Sequence, residues 1–579
     1  MRNAELSAHF DELADLYELD EAIVHRIVAY RNAARAIRDA TQPVAELARA
    51  GRATELPGIG KTIAEKIDVL LERGSLPQAE RLKEKFPAGL VEITHLPGFG
   101  AKRARRLYEE LGIHSRAELR RAAEGGRLRE VPGFGAKAEQ NVLAALAADP
   151  GGPRVRWLLP RARAVGDGIV AALRDHPACE HAELAGSARR QAETCKDLDV
   201  VAAARDPSAL VQAFCALPLV EVSSASESGA RALAHNGMPV DLRVTTTETY
   251  GNLLQHLTGS GAHNEALRTQ AVRRGLHVSE YGVADDASGV THACATEAEV
   301  YARLGLEPIP PELRENRGEL EAARAGALPE LVEVGSLRGD LHCHTVASDG
   351  RGTVEQMAEA AQARGLEYLA ITDHSASHGF GNDVSPDALV RHIEHVRAVD
   401  AELGEGFRLL AGSEVNVLPD GSLDYDDELL AKLDWVVASL HSSFRMPEPE
   451  MTERMVRAIE HQAVDAIGHP TGRLIDRRQP YALDLERVFE AAARTGTFLE
   501  VNGNPDRRDL SETNARRAVE AGVTLVLDSD AHGPETLAAV GYAVATARRG
   551  WVAPHQVANT RSWAELDALR AGRHSTASG

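Results

Sequence analysis

The chain has 579 residues, 44% hydrophobic and 26% charged, and carries a formal net charge of −21 at pH 7. That length exceeds one hydrophobic core and implies three to four domains of a soluble globular protein. No apolar run approaches the roughly 20 residues of a membrane span, and MRNAELSAHF at the N-terminus has no signal-peptide pattern, so a cytoplasmic protein whose five cysteines stay reduced is expected. The negative charge argues against bulk attraction to nucleic acid, yet basic residues cluster in AKRARRLYE, RAELRRAAEGGRLRE and PRVRWLLPRARA.

Residues 1–150 read as helices with Leu, Ile and Ala at helical spacing. Three turns repeat among them, in ELPGIGKTIAEKI, HLPGFGAKRARRL and EVPGFGAKAEQNV, each setting Pro-Gly-x-Gly before an amphipathic helix. The paired glycines are Gly58 and Gly60, Gly98 and Gly100, and Gly133 and Gly135. Without side chains they let N–H groups at a helix N-terminus approach a DNA phosphate, and let turn carbonyls reach a monovalent cation. One such turn would be an ordinary connection, whereas three predict helix-hairpin-helix DNA binding.

Residues 151–245 alternate apolar runs and helices around GSARRQAETCKDLDVV, Gly186–Val201. In a strand, Asp197 and Asp199 project from one face while Leu198 packs behind. Two carboxylates in one small volume suit two hard divalent ions that clamp an in-line displacement at phosphorus. Asp241, in MPVDLRVT, is placed to add a third carboxylate from a neighbouring strand. Gly186 and Ser187 form a tight turn able to hold phosphate, with Arg189 and Arg190 just beyond.

This ensemble resembles the palm of family X DNA polymerases, whose motif is Gly-Ser-x-Arg-Arg followed by Glu and an Asp-x-Asp pair at this spacing. The resemblance implies that Asp197, Asp199 and Asp241 form the catalytic metal-binding acids, holding magnesium or manganese. It implies that Asp241 helps to activate the primer 3′ hydroxyl, and that Gly186, Ser187 and Arg190 bind the incoming nucleotide. LTGSGAHNEALR, Leu257–Arg268, is similar to the family's nascent-base-pair segment, which implies nucleotide-facing roles for Gly259, Asn264 and Arg268. Many members carry an aromatic pair before Thr-Gly-Ser; His256 and Leu257 stand there instead, so weakened rejection of ribonucleotides is expected. Lys66 aligns with the family's Schiff-base lysine that removes 5′-deoxyribose phosphate, near His25, Arg26 and Tyr30. Such chemistry needs a neutral amine, and a phosphate contact is the plainer reading of one lysine on an exposed helix.

Residues 246–315 mix helix and short strand, and 316–336 read as a helical, Pro-containing connector. From Leu337 short apolar strands alternate with helices, which suggests a parallel barrel-like sheet. The strand candidates are GDLHCHT, YLAITDH, LLAGSEVNV, WVVASLHS, DAIGHP, TFLEVN and TLVLDSDAH. All but one finish in or near a metal-binding type of residue: His342 and His344, His374, Glu414, His441, His469, and Asp530 with His532. Groups at the C-terminal ends of barrel strands converge on one mouth.

This region resembles the polymerase and histidinol phosphatase, or PHP, domain, and Asp349 in TVASDG completes its nine ligand positions. The resemblance implies three transition-metal sites: His342, His344, Glu414 and Asp530; Glu414, His441 and His469; and Asp349, His374 and His532. Imidazole with carboxylate suits zinc, manganese or iron, and such a cluster activates water against a phosphodiester. Arg473, Asn502, Asn504 and Arg507 lie in loops near the mouth as candidates to hold substrate oxygens, whereas His378, His392, His395 and His461 read as surface residues.

The expected protein is a multidomain α/β chain. It comprises an all-α helix-hairpin-helix region (1–90 and 91–150), a nucleotidyltransferase-type α/β palm (151–245), a nascent-base-pair subdomain (246–315), a linker (316–336) and a C-terminal distorted (β/α)7 PHP barrel (337–575). The resemblance implies a gap-filling repair polymerase whose PHP site acts as a 3′-5′ exonuclease or abasic-site endonuclease. Its expected partners are gapped or primer-template DNA and deoxynucleotides, with no membrane, and the expected state is a monomer. The rival readings are a PHP-type phosphatase or nuclease with a vestigial polymerase, and a non-catalytic DNA-binding scaffold. A lost ligand would mark the scaffold, and none is lost.

Overall fold

The computed structural model describes all residues except 41, 97–99, 149–155, 378–381, 383, 405 and 577–579, and the side chains of 136, 144, 145, 147, 148 and 573–576. The chain divides into two compact units: Met1–Trp157, Arg161–Leu184 and Thr194–Thr247 form the first, and Leu158–Pro160, Ala185–Glu193 and Glu248–Gly579 the second.

The first unit begins with helices. Leu6, Phe10, Leu13 and Leu16 recur at three- and four-residue spacing along Asn3–Leu19 and are buried with Ala33, Ala34 and Ile37 of Val24–Asp39. The same apolar cluster continues to Leu146, so the segments read as 1–90 and 91–150 share a core. Gly58 and Gly133 hold φ of +86° and +90°, where an L side chain would be strained. A Cβ built on Gly60, Gly100 or Gly135 would meet nothing within 4 Å among the described residues, before the helices that start at Lys61, Ala101 and Ala136. Gly98 lies outside the described residues.

A five-stranded sheet completes this unit, in the order Cys179–Leu184, Leu198–Ala204, Pro239–Thr245, Gly229–Ala234 and Val220–Ser226. Leu198–Ala204 pairs parallel to Pro239–Thr245, and the other neighbours run antiparallel.

In the second unit, helices Tyr250–Thr258, Gly261–Val272 and Glu297–Arg303 accompany an antiparallel sheet of Leu276–Ser279, Gly282–Asp285 and Val290–His292. The connector expected at 316–336 is part of this packing. Its helix Glu319–Ala325 buries Leu320 and Ala323 in the cluster that holds Leu267 and Tyr301, and the Glu319 carboxylate meets His263 Nδ1 at 2.6 Å.

Beyond it, seven parallel strands follow in chain order: Gly339–Asp340, Tyr368–Ile371, Arg408–Asn416, Trp435–Ser439, Ala466–Ile467, Phe498–Asn502 and Leu525–Asp528. All but Arg408 are buried in these spans, as expected where helices cover a parallel sheet. Past the last strand, Ala531 bridges to Cys343 past the first, with His344 N donating to Ala531 O at 2.7 Å, so the sheet nearly closes into a barrel. Leu341, Tyr368, Ala370, Leu410, Val437 and Val526 cluster with Trp435 and Phe498, whose rings stack at 5.9 Å. Phe498→Ala should cost about 3–5 kcal/mol, read as a lower urea midpoint of the tryptophan-reported transition; an unchanged midpoint would contradict this account of the barrel core.

Candidate active sites

Sheet register decides where the palm acids lie. Asp199 stands directly opposite Asp241 in the parallel ladder. Both are half-buried, while Leu198, Val200, Val240 and Leu242 on either side are buried, so the two carboxylates share the more open face. Asp197 sits one residue before the strand and is half-buried too. Arg231 Nε donates to Asp241 Oδ2 at 3.3 Å.

The Gly-Ser turn is a short helix, Gly186–Arg189, in the second unit. Arg189 forms a two-pronged ion pair with Glu297, both contacts at 2.9 Å, and also bonds Thr258. Arg190 bonds Glu315 at 3.0 Å and the Thr258 carbonyl at 2.9 Å. Gly259 is required by close approach, because a Cβ there would lie 2.6 Å from Asn264 Oδ1. Asn264 does not face outward: it is buried, donates to the His256 carbonyl at 2.6 Å and accepts from Gln255 at 3.1 Å. Arg268 is exposed.

Lys66 is half-buried, with its ammonium 5.9 Å from the Tyr30 ring centre. Burial and the nearby Arg26 lower its pKa, the direction an amine nucleophile needs.

In the second unit, eight side chains from the strand ends and adjoining loops gather around Glu414, nine donors in all. His342 Nε2 lies 3.4 Å and His344 Nε2 3.6 Å from Glu414 Oε2, and these imidazoles lie 3.8 and 3.3 Å from Asp530 Oδ1. His441 and His469 approach Glu414 Oε1 at 3.4 and 2.9 Å. Asp349 stands 3.6 Å from His374 Nε2, 3.3 Å from His532 Nε2 and 3.9 Å from His344 Nδ1. Donor atoms about 2.0–2.2 Å from one ion must lie roughly 3–4 Å from one another, as these do. His342 Nε2 and both ring nitrogens of His344 are buried and have no hydrogen-bond partner among the described residues. Divalent cations fit this donor set.

The electrostatics prepare the same arrangement. Against burial that would raise it, His374, His441 and His342 hold the Glu414 carboxyl well below the usual range; Asp530 is likewise lowered, mainly by His342. Burial pushes His344 down to about 4 and His469 to about 3, leaving neutral imidazoles at pH 7. Against burial, Glu414 and Asp349 raise His374 to about 10, and Asp349 and Asp530 raise His532 to about 9.

A surrounding shell orients the donors, and the sequence reading missed most of it. His342 Nδ1 meets Glu500 Oε1 at 2.7 Å, and His441 Nδ1 meets Asn416 Oδ1 at 2.6 Å. Glu500 belongs to TFLEVN, the strand without a donor at its end, and an acid inside an otherwise apolar buried run was the available signal. His392 is not a surface residue: only 10% of its side chain is exposed, and Nε2 lies 2.9 Å from Asp373, which also accepts from Thr345 and Ser348.

Three of the four loop candidates have other work. Asn502 is buried and donates to Asp530 Oδ2 at 3.0 Å; Asn504 Oδ1 accepts from the Asp506 amide at 3.1 Å; Arg473 pairs with Glu193. Arg507 remains, with Nε 3.7 Å from Asp530 Oδ2 and a buried Nη1 that bonds nothing among the described residues.

Because His374 and His532 must lose protons to act as ligands, metal affinity should rise between about pH 6.5 and about pH 8.5. Glu500→Gln should weaken that affinity about 10- to 100-fold at either pH. Chelator competition measures both; flat pH dependence, or unchanged affinity in the variant, would contradict this account of the centre.

Four family models match the chain: a helix-hairpin-helix domain at residues 1–76, a SAM-like helix-hairpin-helix tandem at 90–148, the DNA polymerase beta thumb at 253–315 and the PHP domain at 340–504. The chain is 37% identical over 572 residues to the DNA polymerase/3′-5′ exonuclease PolX of Bacillus subtilis, covering 98% of this chain and 99% of that one. It is also 36% identical over 202 residues to a probable phosphatase of Acetivibrio thermocellus, covering 33% of this chain and 78% of that protein. A probable phosphatase of Syntrophotalea carbinolica is 30% identical over 240 residues, 40% of this chain and 95% of that protein. With near-complete coverage of a polymerase relative, helix-hairpin-helix, thumb and PHP regions in one chain, and a barrel holding the PHP donors, this protein belongs to the family X DNA polymerases that carry a PHP domain.

Proposed function

We propose that the chain fills short DNA gaps by nucleotidyl transfer and hydrolyses phosphodiesters at its PHP centre, as a 3′-5′ exonuclease or at abasic sites. The observation that carries the polymerase half is the register pairing of Asp199 with Asp241 on the open face of the sheet, in a chain 37% identical to a polymerase over nearly its whole length. Divalent ions, when bound, would neutralise phosphate charge and supply Lewis acidity at both centres, magnesium or manganese with the palm acids and zinc, manganese or iron in the PHP cluster.

Asp197 and Asp199 supply anionic ligands, and Asp241 assists deprotonation of the primer 3′ hydroxyl. Ser187 and Arg190 contact the triphosphate. The amides opened by Gly60, Gly100 and Gly135 take DNA phosphates. In the PHP centre, Arg507 Nη1, which bonds nothing among the described residues, would hold a non-bridging phosphate oxygen, while Glu500 and Asn416 fix the rings of His342 and His441 as ligands. A second reading of this centre, as a phosphomonoesterase, is favoured by the likeness of this third of the chain to probable phosphatases. Phosphate release from a small monoester without hydrolysis of DNA would select it.

The two donor sets share no residue, so the two chemistries should be separable. Asp199→Ala should abolish extension and leave hydrolysis intact. Asp530→Ala should abolish hydrolysis and leave extension within about tenfold of wild type, or about 1.4 kcal/mol in barrier. Loss of hydrolysis in Asp199→Ala, with fold and DNA binding preserved, would place both reactions at the palm acids.

The hairpins generate a further expectation. If they grip both flanks of a gap, a one-nucleotide gap gains effective concentration over an open primer-template. It should be filled more efficiently at physiological salt; equal efficiency would remove the argument for gap preference.

A further inference from the structure

Gly186–Val201, continuous in sequence, is divided between the two units. Residues Ala185–Glu193 group with Glu248–Gly579, apart from the strand that carries Asp199. Part of what holds this turn comes from the PHP region.

Three arginines grip successive groups along its exit. Arg549, on helix Val540–Arg549, donates from Nη1 to the Arg190 carbonyl at 2.7 Å and to Glu315 at 3.0 Å, and from Nη2 to Glu512 at 3.0 Å. Arg508, in the loop after Phe498–Asn502, donates from Nη2 to the Gln191 carbonyl at 3.0 Å and from Nε to Thr546 at 2.8 Å. Arg473 pairs with the Glu193 carboxylate and also donates to the Arg508 carbonyl. Arg508 is fully buried and Arg549 is 6% exposed. Burying guanidinium groups is costly unless they are paired and bonded, and here two of them spend a bond on a turn carbonyl.

The turn needs such restraint. Gln191 holds φ of +56°, a left-handed conformation that a residue other than glycine keeps only where its surroundings enforce it. It lies one residue beyond Arg190 and four beyond Ser187. A Gln191 that relaxed to an extended conformation would redirect the Arg190 carbonyl and the chain leading to Ser187.

We infer that Arg549 and Arg508 of the PHP domain are positioning residues for polymerisation, fixing through the Arg190 and Gln191 carbonyls the turn that presents Ser187 and Arg190 to the nucleotide triphosphate. The inference rests on the nucleotide-binding reading of that turn. The PHP domain thereby serves extension through contacts that include none of its nine metal-donor residues.

The test uses the full-length chain on a gapped substrate whose primer ends in a phosphorothioate, which suppresses hydrolysis during extension. Arg549→Met should raise the KM for the deoxynucleotide about tenfold while kcat changes less than about threefold. Hydrolysis of an unmodified primer without nucleotides should be unchanged. Arg549→Lys, which keeps one donor for the Arg190 carbonyl, should recover most of the KM. Should Arg549→Met not fold, Arg508→Lys is measured in its place: it keeps the buried charge but cannot reach Thr546 and Gln191 together, and the same KM shift is expected. An unchanged KM in the folded variant overturns the inference, as does an equal loss of hydrolysis and extension, which would mark only a weakened fold. Ser187→Ala separates the two levels of the claim. If it raises KM while Arg549→Met does not, the turn binds nucleotide without help from the arginines; if it leaves KM unchanged, the reading of the turn itself fails.

Discussion

The C-terminal half depends on one buried carboxylate. Glu414 is 1% exposed, and its two oxygens stand 2.8–3.6 Å from nitrogens of His342, His344, His374, His441 and His469. Burying a carboxylate costs several kcal/mol unless it is compensated, and crowding five imidazoles around it with protons attached would add their mutual repulsion. Two of those imidazoles escape by becoming neutral, since burial lowers His344 to about 4 and His469 to about 3. The arrangement is therefore unfavourable as a protein core and well suited to sharing several cations. The barrel sustains it because seven strands end at one mouth and their apolar flanks bury on both sides.

This accounts for why the centre could be read so fully from sequence while its surroundings could not. A donor just past a short apolar run has a position set by the strand before it, so the pattern of runs placed His342, His441, His469 and Asp530 near one another. Glu500 and His392 gave no such signal. Glu500 lies inside its strand and meets His342 across 158 residues; His392 is on helix Pro386–Leu403 and reaches Asp373 from there. Both contacts depend on how a helix or a non-neighbouring strand packs, which spacing does not encode. Asn502 and Arg473 failed for a related reason: residues near a mouth look like substrate contacts until a partner such as Asp530 or Glu193 claims them.

The palm shows the same division. Alternation of Asp197, Leu198 and Asp199 predicts a shared face, and the observed register puts Asp241 opposite Asp199 rather than Asp197. Alternation cannot choose between those registers, because a shift of two residues keeps every side chain on its face. The helix-hairpin-helix turns were easier, since φ near +90° at Gly58 and Gly133 is a local demand that glycine answers by itself.

The segment least well judged from sequence is the one that resembles its family most closely. Gly186–Val201 reads as a single block, yet its two parts are held by different means. The acids are fixed by the ladder between Leu198–Ala204 and Pro239–Thr245. The turn is fixed by charge: Arg189 and Arg190 are neutralised by Glu297 and Glu315, and the carbonyls of Arg190 and Gln191 are gripped by Arg549 and Arg508. A ladder tolerates changes of side chain that keep the strand, whereas a buried network of arginines and glutamates loses a partner for a charge with each change and must vary as a set. Substitutions in the PHP domain far from its donors can therefore reach the Gly-Ser turn, and the two halves of the motif are constrained by different parts of the chain.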